Sequence, residues 1–345
     1  MPTAEDRTRS DAQPSRRDRG GTVSTVLGDV PLTELGRTNY HEHLFQVSPL
    51  LPGDELDDEV ASGAEAASLA GSGFATMVDA TPIGLGRRPA AVARISAATG
   101  LRIVATTGAH REPHYGGDHW ILRLSEQALA DRFCAEVTDG LPVADGPGSG
   151  VLASGPTGEP VRAGVVKAGV GYWSISTFEH RVLVAAAACH DRTGVAVMVH
   201  LEHGSAAFEV LELLARHAVA PAAVVLAHAD RNPDPGLHAE LAAAGAYLGY
   251  DGFARTRRWP DAVIIDCLRS AAARGAEERI VLGGDVARRT RFRGYGGMPG
   301  MAYLGERVLP RLERETSAKL VQAVLVSNPA RWLSGRTGAM TWTSS

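Results

Sequence analysis

The sequence predicts an α/β protein whose eight parallel strands close into a (β/α)8 TIM barrel with helices on the outside. Three observations support this fold. Short apolar runs alternate with longer stretches of helical spacing, the alternation repeats eight times, and potential metal ligands stand where several of the runs end. Closure of the barrel depends on the strand count. An open, doubly wound sheet remains the alternative on this pattern alone.

The predicted strands are short runs rich in Val, Ile, Ala and Leu, as expected for parallel strands that are buried on both faces. In chain order they cover residues 38–44, 74–79, 102–107, 163–167, 195–200, 223–228, 246–251 and 280–285. The predicted helices between them cover residues 88–99, 125–138, 178–193, 206–217, 236–244 and 260–274. Gly100, Gly194 and Gly245 each follow a helical stretch and precede an apolar run, which is typical of a glycine at a helix C-terminus.

The ends of the chain and one internal segment depart from this pattern. Residues 1–21 are charged and lack aromatic residues, so we expect a disordered N-terminal tail. Residues 22–335 form one barrel domain, and residues 336–345 form a C-terminal tail. Residues 140–160 are rich in Gly, Pro and Ser and predict an inserted, flexible loop without a chemical role, with a short hairpin as an option. By contrast, residues 286–301 follow the last strand, on the side where barrel active sites lie.

Composition excludes several classes of protein. The chain has 345 residues, 44% of them hydrophobic, and a net charge of -4, so there is no electrostatic reason to expect a nucleic-acid partner. No apolar run is as long as a membrane span, and the N-terminus lacks the apolar core of a signal peptide. The three cysteines show no paired spacing and predict reduced thiols. We therefore expect a cytoplasmic protein that acts on a small molecule.

Two histidines, His41 and His43, close the first apolar run. Side chains two residues apart on a strand share a face, so both imidazoles should point to one side. His200, His228 and Asp285 close the fifth, sixth and eighth runs. Neutral imidazole and carboxylate are the usual ligands of zinc and similar divalent ions, so these residues predict a metal site.

The spacing of the later residues supports one shared site. Lys167 closes the fourth run. The spacing is 33 residues from Lys167 to His200, 28 from His200 to His228 and 57 from His228 to Asp285. One strand–helix unit takes about 30 residues, so these steps correspond to one, one and two units. Each residue alone could be an ordinary hydrogen-bonded strand end. Their common phase places all of them on one rim of the barrel.

Lys167 needs a separate explanation, because an ammonium group cannot coordinate a metal. Burial among cations lowers the pKa of an amine, and a neutral amine can take up carbon dioxide to form a carbamate, which is a carboxylate able to bridge two metals. Without this modification, Lys167 would be a general acid or an electrostatic group. The alternative is a structural lysine at the edge of the core.

These residues and their flanks resemble the phosphotriesterase family of the amidohydrolase superfamily, which includes the phosphotriesterase-like lactonases. The matching stretches are GRTNYHEHLF at 36–45, AGVVKAG at 163–169, VMVHLEHG at 197–204, AHADRNPD at 227–234, GGDVARRTRFRGYGGMPG at 283–300 and SNPARWL at 327–333. The similarity runs from about residue 23 to residue 335, with 140–160 as an insertion. Order, spacing and flanking residues all agree.

The resemblance implies a binuclear metal hydrolase acting on ester or lactone bonds, of class EC 3.1. By analogy, His41, His43 and Asp285 hold the more buried metal, and His200 and His228 the more exposed one. Carbamylated Lys167 and a hydroxide bridge the two metals, and the hydroxide attacks the substrate while Asp285 accepts its proton. Zinc is the expected metal, with manganese or cobalt as alternatives. Members of the family are often dimeric, so a homodimer is one expected assembly state.

Two acidic residues beside the ligands have structural roles in this scheme. Glu42 points away from the metals, and we expect it to be the buried partner of an arginine. Asp230 follows His228 by two residues and either orients that histidine from behind or caps the loop.

The loops, rather than the metals, should select the substrate. Arginines follow strands three, seven and eight; they are Arg111, Arg255, Arg257, Arg258, Arg288, Arg289, Arg291 and Arg293. Guanidinium groups bind phosphate and carboxylate, so a polar or anionic substrate is favoured. The loops are similar to those of family members that open phosphorylated sugar lactones, in which basic residues hold the phosphate. Arg257 and Arg288 are the first candidates for this role, and Arg255 and His110 also belong to the predicted pocket.

The alternatives differ in class. One is phosphotriesterase activity of the aryldialkylphosphatase type on organophosphates, which would need the same metals. Another is a non-catalytic barrel that binds a partner, but this would predict loss of a ligand, and none is missing. Many of the arginines could instead form solvated salt bridges with the 39 acidic residues of the chain.

Overall fold

A computed structural model of the protein describes residues 21–148, 150–255 and 259–335. An antiparallel hairpin, β1 (Thr22–Thr25) and β2 (Gly28–Pro31), comes first. Eight parallel strands follow: β3 (Thr38–Glu42), β4 (Thr76–Asp79), β5 (Arg102–Gly108), β6 (Ala163–Val170), β7 (Ala196–Leu201), β8 (Val224–Ala227), β9 (Tyr247–Tyr250) and β10 (Ile280–Leu282). All eight predicted strands are confirmed. Both predicted tails lie outside the described residues, apart from Gly21.

Each barrel strand pairs in parallel with the next one along the chain. The ring is joined beyond β10, where the backbone N–H groups of Gly284 and Asp285 donate to the carbonyl oxygen of His41 at 3.3 and 2.9 Å. The predicted (β/α)8 barrel is thus confirmed, and the open sheet is excluded. The same two hydrogen bonds place Asp285 directly beside a predicted metal ligand of the first barrel strand.

The helices lie around this ring. They are α1 (Glu59–Gly71), α2 (Pro89–Thr99), α3 (Glu126–Thr138), α4 (Thr177–Thr193), α5 (Ala207–Arg216), α6 (Pro235–Ala243), α7 (Asp261–Ala271), α8 (Leu309–Glu315), α9 (Ala318–Gln322) and α10 (Asn328–Leu333). The six predicted helices match α2 to α7 within a few residues at their ends. Gly100 and Gly194 end α2 and α4 with left-handed φ values of 69° and 72°, as predicted.

Apolar side chains fill the interior of the barrel at its N-terminal end. This interior cluster comprises residues from all eight barrel strands, among them Val78, Val104, Val165, Met198 and Val281. Trp332 of α10 is completely buried against it, and its indole N–H donates to the carbonyl oxygen of Val197 at 3.1 Å. This end of the barrel is therefore closed by apolar packing.

The described residues between 140 and 161, which exclude 149, pair with one another through backbone hydrogen bonds. Leu141 N donates to Val161 O at 2.8 Å, and Val161 N donates to Ala153 O at 2.9 Å. Asp145 anchors the segment by accepting hydrogen bonds from the buried guanidinium of Arg87. The optional hairpin is therefore present in the form of short antiparallel bridges. The predicted flexibility of this loop stays a prediction.

Within the described parts of the chain, no helix combines the length and apolar character that a membrane crossing requires.

Candidate metal centre

The six residues predicted to bind metal converge at the C-terminal end of the barrel, and all are buried. His41 lies on β3, Lys167 on β6 and His200 on β7. His43 and His228 directly follow β3 and β8, and Asp285 lies three residues beyond the end of β10. Asp285 Oδ1 lies 3.6 Å from His41 Nε2 and 3.5 Å from His43 Nε2. These three side chains therefore present their ligand atoms to one small volume that would fit a metal ion.

His200 and His228 form a second group. The Nδ1 atom of His200 lies 2.8 Å from the Nε2 atom of His228. The His228 ring is also 5.1 Å, centroid to centroid, from the ring of His41, so the two groups adjoin. The resemblance implies that these two groups are the two ligand sets, and that assignment stays a prediction.

The outer hydrogen bonds fix which ring nitrogen of each histidine carries the proton. His41 Nδ1 and His228 Nδ1 donate to the carboxylate of Asp251 at 3.1 and 2.6 Å. His43 Nδ1 lies 2.7 Å from the hydroxyl of Thr81, which itself donates to the carbonyl oxygen of Phe45 and so accepts from the imidazole. Each of these three rings therefore turns an unprotonated Nε2 towards the site.

The arrangement fits divalent cations. His41 Nε2 is buried and has no hydrogen-bond partner among the described residues. Burial, together with the charge of Lys167, lowers the pKa of His41 to about 4, and burial also holds the pKa of His228 and His200 well below the usual value. Neutral imidazoles whose lone pairs converge repel each other, and zinc, manganese or cobalt ions would relieve this repulsion.

Two ligands reach the site through unusual backbone conformations. Ala227 points into the barrel interior, so regular alternation would turn the next residue, His228, outward. Instead His228 has a left-handed φ of 66°, and Asp285 has a φ of 44°. Such conformations cost about 1–3 kcal/mol in residues other than glycine and occur preferentially at functional sites.

Lys167 is completely buried at the same end of the barrel. Its amine donates to the carbonyl oxygen of Ala80 at 2.9 Å. Burial lowers the pKa of Lys167 to about 7, against the opposing effect of the nearby carboxylates of Asp251 and Asp79. The lowered pKa favours the uncharged amine, which is the state that can react with carbon dioxide.

Asp251, which the sequence argument did not single out, is the central organising residue. It follows β9 directly, is completely buried, and accepts hydrogen bonds from His41, from His228 and from the hydroxyl of Tyr40. Tyr40 reaches it across Gly249, where a Cβ would lie 2.0 Å from the phenol oxygen. The available signal was its position, since Asp251 closes the seventh apolar run at the same rim as the ligands.

Asp230 takes one of its two expected roles, whereas Glu42 has other partners than the arginine expected for it. Asp230 Oδ2 accepts the backbone N–H of Gly252 at 2.7 Å, which is the loop-capping role, and the carboxylate bonded to His228 is that of Asp251. Glu42 is buried as expected. Its hydrogen bonds come from the Asn39 side chain and from the backbone N–H of Val286, rather than from an arginine.

Arginines surround the mouth of the site. Arg255 donates to the Asp285 carboxylate, and Arg231 Nη2 lies 3.1 Å from the same oxygen. Burial and the charges of Arg231, Arg291 and Arg288 hold the pKa of Arg255 well below its usual range. Arg288 is half exposed and pairs with Asp54 at 3.0 Å. Arg257 lies outside the described residues.

His110 also borders the ligands. Its ring lies 4.6 Å from that of His200, centroid to centroid. Its Nδ1 accepts the backbone N–H of Arg111 at 2.7 Å, so the proton of the neutral ring is on Nε2.

A family comparison agrees with this geometry. Residues 21–333 match the model of the phosphotriesterase family. The chain belongs to the phosphotriesterase family. This phosphotriesterase-family chain is 28% identical to a phospho-furanose lactonase of Mycoplasmopsis synoviae, over 90% of each chain. It is 27% identical to an N-acetyltaurine hydrolase of Danio rerio, over 91% of this chain and 98% of that one. The crystal structure of the lactonase Lmo2620 from Listeria monocytogenes superposes with a TM-score of 0.80 at 30% identity, covering 92% of this chain and all of that one.

Proposed function

We propose that this protein is a two-metal lactonase that opens a polar, anionic sugar lactone, with a phosphorylated lactone as the preferred substrate. His41, His43 and Asp285 would hold one metal, His200 and His228 the other, and carbamylated Lys167 would link them. When bound, the two ions would lower the pKa of a shared water and polarise the oxygen of the scissile bond. The names of the relatives support hydrolysis, and two of these relatives are named as lactonases.

Several protein groups would serve this reaction. Asp285 lies at the centre of the site and offers carboxylate oxygens that can take a proton from the attacking water. His110 presents a neutral ring with its proton on Nε2, which can donate to a substrate oxygen. The four histidines in the ligand set are kept neutral by burial, so they remain available as ligands at neutral pH.

The observation that carries the substrate proposal is the arginine cluster at the mouth. Arg231 and Arg255 both contact Asp285, a carboxylate that a metal would share, and Arg291 and Arg288 add positive charge near Arg255. Like charges held close together are stabilised by an anion that neutralises them. A phosphate ester on the substrate supplies that anion, whereas a neutral organophosphate does not.

The test compares a five-membered sugar lactone with and without a phosphate ester, using zinc- or manganese-loaded enzyme. Charged hydrogen bonds contribute about 1.5–3 kcal/mol each, so kcat/KM should be at least about tenfold higher for the phosphorylated form. Arg288→Gln should reduce this preference mainly through KM. Arg94→Gln, which breaks an exposed pair with Glu59 on α1 and α2, serves as the matched control.

Paraoxon provides the contrast. Efficient paraoxon cleavage by an enzyme that opens none of the lactones would replace the lactonase proposal with phosphotriesterase activity. Equal rates on both forms of the lactone would show that the enzyme does not recognise the phosphate. The protein would then be a lactonase for uncharged substrates.

A further inference from the structure

Glu202 directly follows β7 and lies against the outward side of His200. Its Oε2 atom is 3.0 Å from His200 Nε2 and 2.9 Å from Arg111 Nη2. The side chain is only one-fifth exposed. It is therefore held in place from two sides at the rim of the site.

With Glu202 as the partner of His200, each of the four histidines has a hydrogen-bonding partner on the ring nitrogen that faces away from the site. The rings of His41 and His228 donate outward to Asp251, and the ring of His43 donates to Thr81. Those three histidines all turn Nε2 inward. His200 is reversed, since its Nδ1 faces His228 Nε2 while its Nε2 faces the carboxylate of Glu202.

The reversal makes the proton position on His200 important. If the proton were on Nδ1, the ring would present an N–H to the space shared with His228 and could not act as a ligand there. A carboxylate bonded to Nε2 favours the tautomer with the proton on Nε2 and raises the basicity of Nδ1. Among the described contacts, Glu202 is the hydrogen-bonding partner of His200 Nε2.

Arg111 orients this carboxylate. It lies in the loop after β5 and crosses β6 at Gly169, where an added Cβ would come within 3.2 Å of Arg111 Cγ. Its guanidinium and the His200 ring contact the same oxygen of Glu202, so the carboxylate is fixed between them. The exposed His203 ring, 3.5 Å from the other oxygen, adds a peripheral contact.

We propose that Glu202, held by Arg111, is a positioning residue that fixes the His200 tautomer and thereby sets the affinity of the metal shared by His200 and His228. This inference rests on the proposed two-metal function. The competing interpretation is an ion pair with Arg111 that stabilises the loop and has no influence on metal binding.

The test measures metal per chain against a graded series of chelator concentrations. Loss of an outer partner typically weakens metal affinity 10–100-fold. Glu202→Ala should therefore lose one metal at a chelator concentration at which the wild type keeps two, while the metal at His41, His43 and Asp285 remains. Glu202→Gln keeps an oxygen that can accept from Nε2–H, so it should restore most of the affinity. Arg111→Gln should show an intermediate loss.

Control measurements separate positioning from stability. His203→Ala removes the peripheral contact and should leave both metals in place. The thermal midpoint of metal-free Glu202→Ala should lie close to that of the metal-free wild type. If Glu202→Ala keeps both metals with unchanged affinity, or loses both together with its thermal stability, the positioning role is wrong. A wild type that binds fewer than two metals would instead contradict the proposed function, and this outcome is recognised before any variant is compared.

Discussion

At the scale of single residues, the site is defined by how its protons are distributed. Asp251 and Thr81 accept from the outward nitrogens of His41, His228 and His43, so these rings are committed to present unprotonated nitrogens inward. These buried hydrogen bonds orient the three rings so that, as proposed metal ligands, they would need no change of tautomer.

Asp251→Asn should weaken metal binding about 10–100-fold. One carboxylate oxygen becomes an NH2 group, which cannot accept a hydrogen bond from an imidazole N–H. The measurement is a metal titration of the refolded or metal-stripped variant. Asp230→Asn is the matched control, because its oxygen can still accept from Gly252 N and it bonds to no ligand histidine. Equal effects of the two substitutions would show that general damage to the loops, rather than histidine orientation, is responsible.

Lys167→Ala should reduce the metal content from about two ions per chain to about one or none, because a two-metal site needs its bridging group. Wild-type protein supplied with ¹³C-bicarbonate should also show a carbamate resonance that the variant lacks. Two metals retained in Lys167→Ala would rule out the carbamate bridge.

At the scale of elements, the junction between β3 and the segment after β10 places three candidate metal ligands, His41, His43 and Asp285, side by side. Glu42 crosses this junction and accepts the backbone N–H of Val286 at 2.8 Å. The crossing requires a glycine at position 284, where a Cβ would lie 2.1 Å from Glu42 Oε1. Barrel closure and site assembly therefore depend on the same few contacts.

Gly284→Ala should lower the free energy of unfolding by about 1–3 kcal/mol, as expected for overpacking in a closed core. Urea unfolding at equilibrium provides the measurement. Gly71→Ala is the control, because that glycine ends α1 with open space around it and the substitution should be neutral or slightly stabilising. Equal stability of Gly284→Ala and the wild type would contradict the described closure.

The packing of α3 against α4 gives a prediction on thiol reactivity. A hydrogen bond from Cys189, together with the nearby Arg192 guanidinium, lowers the pKa of half-buried Cys134 to about 7, whereas burial raises the pKa of Cys267 to about 11. Because the thiolate is the reactive form, Cys134 should be alkylated with a pH midpoint near 7. Cys189→Ala should move this midpoint upward. Similar labelling rates for Cys134 and Cys267 at pH 7 would contradict the assignment.

At the scale of the whole molecule, the barrel and its six candidate ligands follow from local patterns. Strands buried on both faces give continuous apolar runs, and residues at their ends share one rim, so His200 and Asp285 could be placed from spacing alone. The hydrogen bonds that Asp251 accepts could not be predicted in this way. Their donors, Tyr40, His41 and His228, come together only when the ring closes. Helix α1 was missed because its alternation of Ala, Ser, Gly and Glu gives a weak apolar stripe.

The loops were the least predictable part. The arginines were recognised as a group, but which of them lie at the site depends on tertiary contacts. Arg231 was not among the predicted substrate-binding residues and yet contacts Asp285, while Arg288 is half exposed and pairs with Asp54. Substrate class therefore stays a proposal, whereas the family is established by the match over residues 21–333.

Anomalous diffraction from zinc-loaded crystals at the zinc edge tests most directly whether these six residues form a two-metal centre. We predict two peaks about 3.5–4 Å apart, one bonded to His41, His43 and Asp285 and the other to His200 and His228, with Lys167 between them. A single peak, or peaks away from these side chains, would contradict the account.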